Sequence, residues 1–393
     1  MNTKELSKTQ IIIMAVVAGV CVANIYYNQP ILKDMGSSFN ADAKSTGIIS
    51  VLTQTGYGLG LFFLSPLGDK INRKKLILIL QAITVVALIG MVFIQQLTGM
   101  YIMSLVVGML AVVGQILLPM AAALDNKNRG RTVGIVFTGI LIGILSARVF
   151  SGYIAAWFGW RYVYGISSIM VTITFLLTKF CLPDVPAKFT GNYVQLLQST
   201  LVQVKRFALL RRTALLGALI FGVFCSFWTT LTFHLSGAPF NYNSGTIGLF
   251  GVLAIGGALV APAFGKLADK RNPARSQVLT VFILIVSVLM IKLFPYNLIA
   301  FIVAVLLLDI GIQATQVTNI ATIYTLDDTA HSRINTVYMT TYFIGGAAGT
   351  YIGVQCWSLG GWAIVTWQLL AWSCIALLVA YIGYKKESVK KGL

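Results

Sequence analysis

Charged residues are scarce in this sequence. Only 10% of the 393 residues are Asp, Glu, Lys or Arg, whereas 57% are hydrophobic, and the mean hydropathy is +0.84. A water-soluble domain has about 25% charged residues, because its surface must be hydrated. A surface in contact with lipid needs almost none. The composition therefore excludes an ordinary water-soluble protein and indicates one that is embedded in a membrane.

The sequence also lacks the motifs of cofactor and metal chemistry. No P-loop of the form G-x-x-x-x-G-K-[ST] occurs, which argues against a pump driven by ATP. The His, Cys and carboxylate residues form no cluster, and the five cysteines are isolated in or at the ends of hydrophobic segments. We therefore expect no enzyme activity, no cofactor, no metal site and no disulfide framework.

Long hydrophobic runs make up most of the chain. A helix needs about 20 apolar residues to cross the hydrocarbon core of a bilayer. Twelve such runs are present, at residues 11–32, 46–67, 76–97, 100–123, 132–156, 161–181, 213–236, 245–267, 277–294, 297–323, 334–357 and 361–384. The first is too long for the core of a signal peptide, so we expect it to remain as a span. The sequence thus predicts an all-α membrane protein with twelve transmembrane helices.

The basic residues, which give a net charge of +18, are distributed unevenly between the two sides of the membrane. With twelve spans both termini lie on one side. The loops of the opposite side contain only four basic residues, Lys33, Lys44, Arg161 and Lys292. An excess of Lys and Arg is typical of cytoplasmic loops. We therefore expect cytoplasmic termini, and contact of the basic residues with anionic membrane lipids and not with nucleic acid.

Two polar loops repeat one pattern at an interval of 200 residues. The loop after the second span, residues 65–75, contains Asp69, and the loop after the eighth, residues 265–275, contains Asp269. Glycine, threonine and tryptophan residues elsewhere recur at similar intervals. Such internal repetition is typical of transporters built from two related halves. The chain is therefore interpreted as a duplication of six spans.

The only long polar stretch of the chain lies between these halves, at residues 182–212. We expect it to link two six-helix bundles, at residues 1–181 and 213–393. Apolar residues within it are spaced by three or four positions, and basic residues occupy other faces. This pattern predicts an amphipathic helix that lies on the cytoplasmic membrane surface.

The two polar loops resemble those of a known family. They read SPLGDKINRKK and GKLADKRNPAR, similar to the pattern G-x-x-x-D-[RK]-x-[GN]-R-[RK], with a serine in place of the leading glycine in the first. With twelve spans in two halves, the whole chain resembles the major facilitator superfamily. The segments ANIYYNQP and FGWRYVY are similar to its drug:proton antiporter-1 branch and the sugar- and metabolite-efflux relatives. The resemblance implies a bacterial inner-membrane transporter that works by alternating access.

In that family the polar loop is a cytoplasmic latch that holds the outward-facing state. The resemblance implies this role for Asp69 and Arg73 in the first half, and for Asp269 and Arg275 in the second. A carboxylate near basic residues and a helix N-terminus is stabilised by both. The fifth span departs from the family's antiporter motif, because an alanine and Arg148 replace the usual Gly-Pro.

Spans one, four, seven and ten line the central cavity in this superfamily. Polar residues in these spans are expected to face the cavity, since polar groups in contact with lipid are costly. Asp309, Gln313 and Gln316 occupy positions i, i+4 and i+7 and therefore share one face of span ten. The expected cavity residues are Asn24, Tyr27, Asn28, Gln54, Gln115, Arg148, Trp228, Thr230, Asp309, Gln313 and Gln316.

Arg148 and Asp309 are the only Arg, Lys, Asp or Glu residues well inside the predicted spans. Each needs a partner or a water-filled cavity at that depth, and the sequence leaves open whether they pair. A carboxylate can take up and release a proton when its surroundings change. We therefore predict that Asp309 couples transport to protons.

The sequence thus predicts a monomeric secondary transporter that exports a small metabolite or drug in exchange for protons. Two alternatives stay open. In the first, the protein carries an organic anion in either direction, with Arg148 as the counter-charge. In the second, it is a transporter-like receptor without flux. The sequence does not name the substrate.

Overall fold

Every regular element in the described part of the chain is an α-helix. The structure is a computed structural model that describes residues 6–125, 128–186, 191–254, 273–327 and 330–391. The helices are α1 (Lys8–Ala23), α2 (Asn28–Phe39), α3 (Ala43–Phe63), α4 (Leu67–Lys70), α5 (Arg73–Phe93), α6 (Leu97–Leu110), α7 (Val113–Leu124), α8 (Arg129–Phe158), α9 (Trp160–Cys181), α10 (Tyr193–Arg206), α11 (Ala208–Ser236), α12 (Ser244–Ala254), α13 (Pro273–Leu293), α14 (Leu298–Tyr324) and α15 (His331–Lys391).

Ten stretches of the described helices are long and apolar enough to cross a membrane. The last, α15, has non-helical backbone at Gly360 and Gly361, where φ of Gly361 is 60°, so it comprises two spans joined by a kink. The eighth predicted span begins as α12 at Ser244, and its second part lies outside the described ranges. The prediction of an all-α, multi-pass membrane protein is confirmed.

The chain divides into two compact units. The first comprises Met1–Ala41, Leu52–Gln198 and Ser244–Gly248, and the second comprises Asp42–Val51, Ser199–Asn243 and Leu249–Leu393. The division between the long segments falls inside α10. The beginning of α3 is counted with the second unit, and the beginning of α12 with the first.

One glycine pair in each unit brings two helix backbones into direct contact. A Cβ atom on Gly143 of α8 would lie 2.2 Å from the carbonyl oxygen of Gly19 in α1, and a Cβ atom on Gly349 of α15 would lie 2.2 Å from that of Gly222 in α11. Any larger residue would therefore push these helices apart. Small residues allow such close packing of membrane helices. The pairs are equivalent, because they join spans one and five and spans seven and eleven.

The linker helix α10 packs through one side only. Leu196, Thr200 and Gln203 are buried, whereas Leu201 and Val202 on the other side are 51% and 53% exposed. Exposed apolar residues beside polar ones are typical of a helix at a membrane surface.

Candidate functional site

The first span is interrupted where the sequence predicts cavity residues. α1 ends at Ala23 and α2 begins at Asn28. Between them the Ile25 N–H donates to the carbonyl oxygen three residues earlier at 3.1 Å, which is a tighter turn than an α-helix. Pro30 is tolerated in the first turn of α2, but within a continuous helix it would remove a hydrogen bond and clash. The interruption therefore gives α2 a different register from α1.

Because of this change of register, Asn24, Tyr27 and Asn28 contact different helices. Ser167 Oγ of α9 donates to Asn24 Oδ1 at 2.8 Å, and the centroid of the Tyr27 ring lies 5.5 Å from that of Phe150 in α8. Asn28 Nδ2 donates to Thr53 Oγ1 of α3 at 3.1 Å. All three predicted residues are buried. The amides of Asn24 and Asn28 hold the interrupted span against α9 on one side and α3 on the other.

Arg148 of α8 contacts the same interruption and is only 1% exposed. Its Nε donates to Gln29 Oε1 at 2.8 Å, and its Cζ lies 5.1 Å from the centroid of the Tyr26 ring, a cation–π distance. Sequence reasoning missed Gln29 and Tyr26, because it assumed one continuous helix. Pro30 was the available signal of a break.

Gln54 and Gln115 complete the predicted polar residues of the first unit. Gln54 of α3 is 1% exposed and follows Thr53, the partner of Asn28. Gln115 lies in α7, which begins after a second interruption in span four, and its side chain hydrogen-bonds the Tyr57 hydroxyl. These contacts connect α3 to α2 and to α7.

The second unit contains the predicted stripe of span ten. Asp309 is 0% exposed and lies near the middle of the 27-residue helix α14. Gln313 and Gln316 follow on the same face and are half-buried. The carboxylate is therefore fully inside the unit, and the two amides lie progressively closer to the end of α14 that carries Tyr324.

A chain of neutral hydrogen bonds begins at Gln316. The Tyr338 hydroxyl donates to Gln316 Oε1 at 2.5 Å, Asn319 Nδ2 donates to the Tyr338 hydroxyl at 3.2 Å, and Gln277 Nε2 donates to Asn319 Oδ1 at 2.8 Å. The chain joins α13, α14 and α15. Sequence reasoning missed its last three members, although Asn319 lies one helical turn after Gln316.

Trp228 and Thr230 of α11 are both buried in the second unit. The Trp228 ring packs edge-to-face on Phe227, with ring centroids 5.7 Å apart. Thr230 Oγ1 donates to the Ser226 carbonyl oxygen of its own helix at 2.8 Å. Trp228 therefore belongs to an aromatic cluster, and the Thr230 hydroxyl is used within α11.

His234 lies at the end of α11 in an aromatic environment. Its ring stacks on that of Trp362 at 4.2 Å with an interplanar angle of 8°, and its Nε2 lies 3.0 Å from the Pro295 carbonyl oxygen. It is 5% exposed. The sequence favours an interfacial role for this histidine over a titrating one, and these contacts fit a packed residue at a span end.

The first polar loop is built around Arg73, which is 8% exposed. Its guanidinium contacts Asp69 Oδ1 at 2.7 Å, the Gly68 carbonyl oxygen at 3.0 Å and the Pro119 carbonyl oxygen of α7 at 2.9 Å. The Arg73 N–H donates to the Val185 carbonyl oxygen at 3.1 Å. One side chain thus ties the loop to α7, and its backbone ties the loop to the segment after α9.

The second polar loop is described only in part. Asp269 lies outside the described residues, and Arg275, in the first turn of α13, is exposed. The position that corresponds to Arg73 is Pro273, and Arg275 corresponds to Lys75.

Sequence comparisons identify the family of the chain, and a structure comparison supports its fold. A profile described as Major Facilitator Superfamily matches residues 14–350. The putative uncharacterized transporter YgaY of Escherichia coli is 37% identical over 387 residues, which are 98% of each chain. A probable transporter of Streptomyces coelicolor is 27% identical over 352 residues, 89% of this chain and 82% of that one. The crystal structure of the nucleoside transporter NupG aligns with a TM-score of 0.74 at 12% identity, and the alignment covers 95% of this chain and 98% of that one.

Proposed function

Since the chain belongs to the major facilitator superfamily of membrane transporters, we propose that it exports a small metabolite or drug by alternating access, in exchange for protons. In this proposal both termini face the cytoplasm of a bacterial cell, the protein lies in the inner membrane and it works as a monomer. The cavity residues expected from the sequence bind the substrate, and Asp309 carries the proton.

Burial of Asp309 is the observation that supports proton coupling. This carboxylate is 0% exposed near the middle of a membrane-spanning helix. Acidic residues at this depth are costly and are typical of proton relays. The other acidic residues whose side chains the structure describes lie in connections or near the ends of spans, at Asp34, Asp42, Asp69, Asp125, Asp184 and Asp327. Asp309 is thus the best-placed described acid for a proton that crosses with the substrate.

The test uses purified protein in liposomes. A panel of metabolites and drugs is first screened for thermal stabilisation, and the compound with the largest shift serves as substrate. Asp309→Asn cannot release a proton, so we expect it to bind and exchange this compound without accumulating it against a gradient driven by pH. Asp42→Asn, which removes an exposed acid, is the matched control and should transport normally. Uphill transport by Asp309→Asn would show that Asp34 or His234 carries the proton, or that transport is not coupled to protons.

Arg148 supports a second candidate, the transport of an organic anion. Its guanidinium is 1% exposed and is held by Gln29 in the first unit. Arginine recognises carboxylates through a planar fork of donors that lysine lacks. If Arg148 binds the substrate, Arg148→Lys should raise KM for an anionic substrate at least about tenfold with little change in folding. Arg161→Lys, at the outer end of α9, is the control. An unchanged KM would leave Arg148 with a structural role.

The first polar loop supports the proposal of a latch. Asp69 and Arg73 form an ion pair that is tied to α7. In the proposal Asp269 and Arg275 perform the same task in the second half. The loop has no place in the substrate path, so changes there should alter the rate of conformational exchange and leave substrate affinity in each state unchanged.

A further inference from the structure

A groove with a volume of about 570 Å³ lies between α13 and the last span of α15, within the second unit. This volume is in the range of about 300–1,000 Å³ that is usual for small-molecule sites. The lining residues are Arg275, Val278, Leu279 and Phe282 of α13, and Cys374, Leu377, Leu378 and Tyr381 of α15. None of them belongs to the proposed substrate path, although Arg275 also belongs to the proposed latch.

Polarity is graded along this groove. Because spans nine and twelve run in opposite directions, Arg275 and Tyr381 lie at the same end, and Phe282 and Cys374 lie deeper. Lys385 follows Tyr381 by one helical turn on the same face of α15 and is exposed. One end of the groove is therefore cationic with a tyrosine beside it, and the rest is apolar.

In the part of the chain that the structure describes, no carboxylate lies beside the two cations at the mouth. Within the described ranges, neither Arg275 nor Lys385 makes an ion pair or a side-chain hydrogen bond. Arg73, by contrast, is buried and contacts three oxygen atoms. Lys and Arg at the edge of a membrane span attract anionic headgroups, and tyrosine favours the same level.

We propose that this groove binds an anionic phospholipid, with its phosphate between Arg275 and Lys385 and an acyl chain along the apolar residues. A second copy of the chain is a poorer occupant. A two-fold interface would place Arg275 and Lys385 close to their symmetry mates, and like charges at an interface are repulsive.

A groove in the first unit provides an internal comparison. It lies between α1 and α8, has a volume of about 490 Å³ and extends from Ile12 to Phe150. Its sixteen lining residues include no charged side chain. It can accept an acyl chain but offers nothing to a phosphate, so it should not distinguish anionic from zwitterionic lipid.

The test is native mass spectrometry of the delipidated full-length protein, titrated with phosphatidylglycerol or with phosphatidylcholine of the same chain length. We expect the first phosphatidylglycerol to bind more tightly. Arg275→Gln and Lys385→Gln should each weaken it about fivefold, and the double variant about 25-fold. Arg275→Lys should retain most of the affinity. Lys386→Gln is the matched control, because it removes a charge at the same depth from another face of α15. Each variant must elute as a single monodisperse species.

Three kinds of result would overturn the proposal. The first is equal affinity for the two lipids, or an unchanged affinity in the double variant. The second is a dimer whose formation does not depend on lipid. The third is displacement of the lipid by millimolar inorganic phosphate, which would reduce the site to a phosphate site without an acyl contribution. Leu378→Trp adds a separate check, since a larger side chain in the groove should lower the affinity while both cations remain.

Discussion

In the first unit, the helix after the polar loop is tied to its neighbours by one arginine, whereas in the second unit the matching helix is tied by a chain of neutral side chains. Arg73 bonds the Pro119 carbonyl oxygen of α7. The position 200 residues after Pro119 is Asn319, which bonds Gln277 of α13 and Tyr338 of α15. We call the contact of this helix with span four or span ten the junction. It is held by a charged side chain in the first half and by amide and hydroxyl groups in the second.

This difference shows how two related halves can differ in response while they share a fold. Hydrogen bonds that involve a charged group are about twice as strong as neutral ones, and a buried charge that loses its partner is costly. In the first junction the bonds to Gly68, Asp69 and Pro119 all come from Arg73, whereas the second divides its bonds among several residues. A change at the single residue Arg73 can therefore break the first junction, whereas no single side chain controls the second.

The largest expected effect is that of Arg73→Ala. It leaves the Gly68 and Pro119 carbonyl oxygens without a donor and Asp69 without its cation, so we expect a loss of about 3 kcal/mol in the free energy of unfolding. Unfolding in mixed micelles measures this loss.

The matched control in the second half is Pro273→Ala, which removes no side-chain donor and should change the free energy by less than about 0.5 kcal/mol. Equal losses in the two variants would show that the junctions do not differ in this way.

A smaller effect is expected for Asn319→Leu in the second unit. The change removes two hydrogen bonds and leaves Gln277 and Tyr338 buried with fewer partners, which should cost about 2 kcal/mol. The same unfolding experiment applies. Thr318→Val is the control, because the Thr318 hydroxyl donates only to the Ala314 carbonyl oxygen of its own helix. If Asn319→Leu costs as much as Arg73→Ala, the second junction depends on one residue as the first does, and the two junctions do not differ.

The smallest effect concerns a charged contact that is exposed. The Ser45 side chain and backbone N–H both bond Asp42 at the start of α3, and these bonds hold the pKa of this carboxyl below its usual value. A lowered pKa means that the stabilisation is present at neutral pH and is lost as the pH falls below about 4. Asp42→Ala should cost about 1 kcal/mol at neutral pH as a lost helix cap.

Asp42→Asn keeps the cap and isolates the role of charge. Its melting temperature should equal that of the wild type at pH 7 and should lack the wild type's decline below pH 4. A pH-independent difference between the two proteins would contradict the assignment of this decline to Asp42.

The sequence predicted the helical spans well because their positions follow from the length of apolar runs. The break before Trp362 was predicted between residues 357 and 361, and the structure places the kink at Gly360 and Gly361. Both observations depend on local composition. The thickness of a bilayer sets the length of each run, and glycine allows the positive φ that the kink requires.

The contacts of Gln29 could not be predicted in the same way. Asn24 and Asn28 would share one face of a continuous helix. Because α1 and α2 are separate helices, Asn28 instead bonds Thr53 of α3, and Gln29 bonds Arg148. The chain from Gln277 to Tyr338 was missed for another reason. Its members come from three helices, and only packing decides which polar residues of different helices meet.

The backbone contacts at the glycine pairs limit where these helices can bend. A helix whose carbonyl oxygens contact the backbone of its neighbour, as at Gly19 and Gly143, cannot slide or rotate without a steric clash. The two helices of such a pair therefore move together as one rigid body. The same holds for Gly222 and Gly349. Bending in a transport cycle is then concentrated where the helical hydrogen bonding is already broken. In the first unit these interruptions are at residues 24–27 and 111–112, which lie within spans one and four.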